Sequence, residues 1–93
     1  MASFLVRIEL HNATWADYDL LHAQMDYRGF SREITGSDGL AYQLPTAEYK
    51  IQTKATLEQV RSLAAEAAKS TGKKFGAIVA EYSRSGWIGL EYA

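Results

Sequence analysis

Apolar and polar residues alternate at the start of the chain: Phe4, Val6, Ile8 and Leu10 fall on one side, and Leu5, Arg7 and Glu9 on the other. A period of two predicts a half-buried strand over residues 3–10. The apolar spacing then lengthens. Trp15, Tyr18, Leu21 and Met25 recur at helical intervals behind the capping pair Thr14 and Asp17, and Gly29 supplies the left-handed residue that ends a helix. Trp15, in that stripe, and Phe30 are expected in the core.

Residues 30–35 read as a second strand, and Gly36-Ser37-Asp38-Gly39 as the turn of a hairpin. The returning strand runs over residues 40–44, is interrupted at Pro45, which lacks an amide hydrogen, and is completed by residues 48–53. Tyr49, Ile51 and Thr53, or the residues alternating with them, face the core; the proline leaves that parity open. Thr56 and Gln59 cap a second helix, with an apolar face of Leu57, Val60, Leu63, Ala64, Ala67 and Ala68, and Gly72 closes it. Residues 75–82 are apolar on both faces, which predicts a central or covered strand. Trp87-Ile88-Gly89-Leu90 is expected to add a short strand.

The resulting order, βαββαβ, predicts one α+β domain over residues 1–93. It is a ferredoxin-like two-layer sandwich, an antiparallel sheet with two helices on one face and the other face open. Ninety-three residues fill one such core and leave no room for a second lobe. The N-terminal apolar stretch is cut by Arg7, so neither a signal peptide nor a membrane span is expected. Cysteine is absent, which removes disulfides, thiolate metal sites and cysteine nucleophiles and suits the cytoplasm.

The formal net charge of -1 argues against tight non-specific binding of nucleic acid and gives no reason to expect DNA as a partner. Arg28 with Arg32, and Lys69 with Lys73 and Lys74, remain as local basic groups near helix ends. Two histidines without a ligand motif around them point to no metal, and no nucleotide-binding or nucleophile-elbow motif is present, so no cofactor is expected.

The candidate chemistry is a carboxylate, an imidazole and a guanidinium, Glu9, His11 and Arg7, on one side of the first strand and its exit. Such groups can take a proton from a ribose 2′-hydroxyl, protonate a leaving oxygen and stabilise a phosphorane. Exposed strand faces also carry such charges as ordinary solvated residues. Tyr42 and Tyr49 flank Pro45, and Tyr82 sits on the last strand; strand aromatics can stack bases of single-stranded RNA, or simply pack. His22, on the first helix, reads as a solvent-edge residue.

Val6-Arg7-Ile8-Glu9, Gly29-Phe30-Ser31, Asp38-Gly39 and Gln43-Leu44 with Tyr49-x-Ile51-x-Thr53 together resemble the GhoS type V antitoxins. The correspondence runs without a gap over about the first two-thirds of the chain and holds only in pattern beyond it. The resemblance implies the ferredoxin-like fold of the small CRISPR adaptation nucleases and an endoribonuclease that cleaves the messenger RNA of a small membrane-active toxin. It places Glu9 at the family's acidic position, Tyr49 at its strand aromatic, and His22 where the family has a basic residue. The expectation is a metal-independent ribonuclease, monomer or weak homodimer, with Glu9, His11 and His22 in proton transfer and Arg7, Arg28, Arg32, Tyr42 and Tyr49 on the RNA. The alternative is a non-catalytic module of the same fold that binds RNA or a protein partner, or dimerises.

Overall fold

In the computed structural model, which describes residues 1–93, the elements follow as β1 (Ala2–Leu10), α1 (Trp15–Tyr27), β2 (Glu33–Thr35), β3 (Ala41–Gln43), β4 (Glu48–Thr53), α2 (Leu57–Lys69) and β5 (Phe75–Tyr82). Phe4, Val6, Ile8 and Leu10 are buried along β1. Full burial of such side chains contributes about 1.5–3 kcal/mol each, and a one-residue slip would turn them all outward, so their alternation fixes the register.

Both helices start on a reciprocal cap. Thr14 accepts from the Asp17 amide and Asp17 answers the Thr14 amide, and Thr56 and Gln59 repeat the arrangement. Gly29, at φ +89°, turns the chain out of α1: its amide donates to the Asp26 carbonyl and that of Phe30 to the Met25 carbonyl. Phe30 is thereby carried into the core beside Leu21 and Met25. From α2 come Val60, Ala64, Ala67 and Ala68, whose small side chains let the helix lie against the sheet.

The main sheet is antiparallel, in the order β4-β1-β5, and β2 and β3 form a separate two-stranded hairpin. This fits part of the ferredoxin-like order. β4 and β5 flank β1, with α2 connecting them, but the place beyond β4 holds a single bridge, Ser31 to Lys50, in place of a strand. The segment is interrupted at Pro45, as expected, but it does not complete one strand beyond it: it divides into β3 and β4, which belong to different sheets.

Three further expectations change. The last strand is an edge strand, paired only to β1, and much of its apolar surface is open: Ile78 is 65% exposed. The tail does pair, but at residues 91–93 and not at Trp87-Ile88-Gly89-Leu90. Tyr92 bridges Tyr42, the Gln43 amide donates to the Glu91 carbonyl and the Ala93 amide to that of Ala41. On the way Trp87, Ile88 and Leu90 line a groove with Leu5, Leu44 and Pro45, so the tail covers part of the sheet face that was expected to be open. Finally, Trp15 lies outside the core, 77% exposed. No helix is long and apolar enough to cross a membrane.

Candidate nucleic-acid interface

The predicted side chains separate into two groups. The pairing of β1 with β4 sets Tyr49 opposite Val6 and Glu48 opposite Arg7, so Tyr49 shares the helix-covered side of the sheet and Arg7 and Glu9 the other. Tyr49 is 0% exposed. No base can reach its ring, and its expected stacking role is not available in this structure.

Its hydroxyl instead meets His22 Nδ1 at 2.6 Å, with the two rings 5.8 Å apart and tilted. A buried phenol must donate its proton somewhere, and Nδ1 is its sole partner, so the bond runs from Tyr49 O–H to His22 and leaves the second ring nitrogen as the N–H. Burial, then the charge of Arg32, holds the His22 pKa below the usual imidazole value, against a smaller opposing pull from Asp19. Burial likewise raises the Tyr49 pKa above the ordinary phenol value. His22 and Arg32 line one cleft of about 390 Å³ together with Asp26, Ser31 and Gln43. The Arg32 Nε is buried there with no hydrogen-bond partner.

Arg28 is tied elsewhere. It donates to the Gln24 carbonyl at 3.0 Å and the Gln24 side chain at 2.8 Å, and its Nε lies 3.8 Å from Glu66 of α2, so it joins the helices on the covered side. Tyr42 is held against Trp87 and Tyr92, and its hydroxyl donates to Asp38 at 2.7 Å. That bond, more than burial, pushes its pKa up to about 12, and it lowers that of Asp38. Tyr42 thus anchors the tail. Tyr82 lies on the uncovered side of the edge strand opposite Ser3. Of the lysines, Lys73 lies 3.8 Å from Asp17 at the start of α1.

The second group is at the exit of β1. Arg7 and Glu9 project from the uncovered side, and His11 follows, its Nε2 3.7 Å from Glu9 Oε1. Arg7 lies 4.0 Å from Glu48, with most of its side chain in solvent. Arg7 and Glu9 share a cleft of about 260 Å³ with Trp15, Tyr18, Thr46 and Ala47. The rim is held firmly. The Tyr18 hydroxyl accepts from the Leu10 amide at 3.0 Å, and the Ile8 amide donates to the Ala47 carbonyl at 3.1 Å. Ala47 itself sits at φ +65°, a left-handed conformation that costs a residue with a Cβ about 1–2 kcal/mol.

Sequence reasoning assigned Trp15 to the core and so missed the exposed indole beside the ionic cluster. Its position as the first helical residue, ahead of the Leu21 and Met25 repeat, is the signal that bears on it. No three carboxylates and histidines converge as a metal site. In comparison with known proteins, the chain matches no family model and no curated protein.

Proposed function

We propose that this chain is a ferredoxin-like, GhoS-like cytoplasmic domain that binds single-stranded RNA at the exit of β1 and cleaves it there, the expected target being the messenger RNA of a small membrane-active toxin. The supporting observation is the exposed Trp15 ring lining one cleft with Arg7 and Glu9, with His11 3.7 Å from Glu9. An indole in water is a stacking platform for an unpaired base, and a neighbouring guanidinium is a partner for its phosphate.

In the proposed reaction one member of the Glu9–His11 pair takes the 2′-hydroxyl proton as the 2′-oxygen attacks the adjacent phosphorus. The other gives a proton to the departing 5′-oxygen, and Arg7 stabilises the charge on the phosphorane. The products are a cyclic phosphate and a free 5′-hydroxyl. His22, bound to Tyr49 on the covered side, has no part in it.

Titrating a Trp87→Phe protein with single-stranded RNA isolates the Trp15 signal. The expected result is salt-sensitive quenching of Trp15, with cleavage that persists in a chelator and falls roughly a hundredfold in Glu9→Ala and in His11→Ala. Quenching without cleavage would establish the non-catalytic RNA-binding alternative, and absence of both would end the RNA reading.

A further inference from the structure

The outer edge of β5 is a row of unpaired backbone groups. The β1–β5 register opposes Glu9 to Gly76 and Arg7 to Ile78, and the His11 amide extends the ladder by donating to the Lys74 carbonyl at 2.8 Å. Hydrogen-bonded pairs alternate along an antiparallel ladder, so Gly76, Ile78, Ala80 and Tyr82 direct their N–H and C=O groups to β1. Phe75, Ala77, Val79 and Glu81 direct theirs outward. No strand lies on that side, and none of these outward groups enters any other backbone hydrogen bond in the structure.

Natural edges of this length are blunted by proline, lysine, a bulge or a covering segment. β5 has none of these: its pairing runs unbroken from Phe75 to Tyr82, its only charge is Glu81, and the exposed Ile78 stands between the small residues Gly76 and Ala80. The tail, which could have covered it, crosses instead to β3.

We propose that β5 pairs antiparallel with β5 of a second copy of this chain, about a two-fold axis at Ala77. The outward row is self-complementary, because each outward residue offers both a donor and an acceptor. In that register Phe75 lies opposite Val79 of the other copy, and the bend that carries Lys73, two residues before β5 and with its ammonium 3.8 Å from Asp17, lies beside Glu81, so each contact is made twice and charges of opposite sign are neighbours. A net charge of -1 per chain opposes the pairing little. The result is one continuous six-stranded sheet. Its two β1 strands lie three strand spacings apart, about 14 Å, with both uncovered faces on the same side. This pairing stands independently of the RNA reading.

Sedimentation velocity over a range of concentrations, with amide hydrogen exchange on the same samples, tests it. The expected result is a monomer–dimer equilibrium in which the Phe75, Ala77, Val79 and Glu81 amides gain protection as dimer forms. Ala77→Pro removes an amide that β1 does not use, and Ala77→Lys sets two charges face to face at the axis. Both are expected to weaken association at least about tenfold without altering the circular dichroism spectrum. A chain that stays monomeric throughout, or a dimer that leaves those four amides unprotected or survives Ala77→Lys, would overturn the proposal.

Discussion

Tyr49 and Trp15 stand at the two ends of what an aromatic side chain can do in this molecule. Tyr49 is enclosed by the helices and hydrogen-bonded to His22, whereas Trp15 lies in water beside Arg7 and Glu9. The difference is one of position in a layer. Tyr49 pairs across from Val6, on the side of β4 where the helices pack. Trp15 opens α1, and at 3.6 residues per turn it falls roughly 100° around the helix from the direction of Leu21 and Met25. A residue at that angle in the first turn is turned away from the core stripe and stays 77% exposed. Burial makes Tyr49 structural, and exposure next to ionic groups makes Trp15 the candidate for recognition.

The largest effect expected from breaking this contrast is at Tyr49. Tyr49→Ala removes a ring that is fully enclosed and should cost about 3–5 kcal/mol in urea unfolding. Tyr49→Phe retains the ring, leaves His22 Nδ1 without its donor and should cost about 1 kcal/mol. Loss of RNA binding by folded Tyr49→Phe would show that the Tyr49 hydroxyl and its bond to His22 are not purely structural. Trp15→Ala sharpens the other half. Its unfolding free energy should stay within about 0.5 kcal/mol of the parent, since little packing is lost. Under the proposed function RNA affinity should fall by about 1–3 kcal/mol, the worth of one stacked base.

The separation of these two residues marks how far the sequence could be read. The alternation of β1, the two capping boxes and the Gly29 exit are local patterns, decided within a few residues, and each appears where its chemistry requires it. Arg7, Glu9 and His11 were legible for the same reason: neighbours on one strand necessarily share a side. Strand order is not local. The apolar content of residues 75–82 suits a covered strand, yet β5 ends the sheet because β1 is its sole strand neighbour, which depends on where every other strand goes. Likewise the parity of β4 could not be carried through Pro45, because the chain leaves one sheet and enters another there. Arg28 and Arg32 looked equivalent near a helix end, but Glu66 on the distant helix α2 engages the first, while the second lines the His22 cleft.

A smaller effect, in pH, tests the enclosed side of the comparison through His22, the partner of Tyr49. His22 has a folded-state pKa below its unfolded value, chiefly through burial and then through Arg32. The unfolded chain therefore binds the proton more readily, so the contribution of His22 to stability is complete above about pH 6.5 and is lost as the pH falls below it. The slope should stay under the roughly 1.4 kcal/mol per pH unit of one full proton, since the ring is only half-buried. His22→Asn keeps an acceptor for the Tyr49 hydroxyl and has nothing to titrate, so its urea midpoint should decline less than the parent's between pH 7 and 5. A midpoint that declined as steeply in His22→Asn as in the parent would remove His22 from the half-buried wall beside Tyr49.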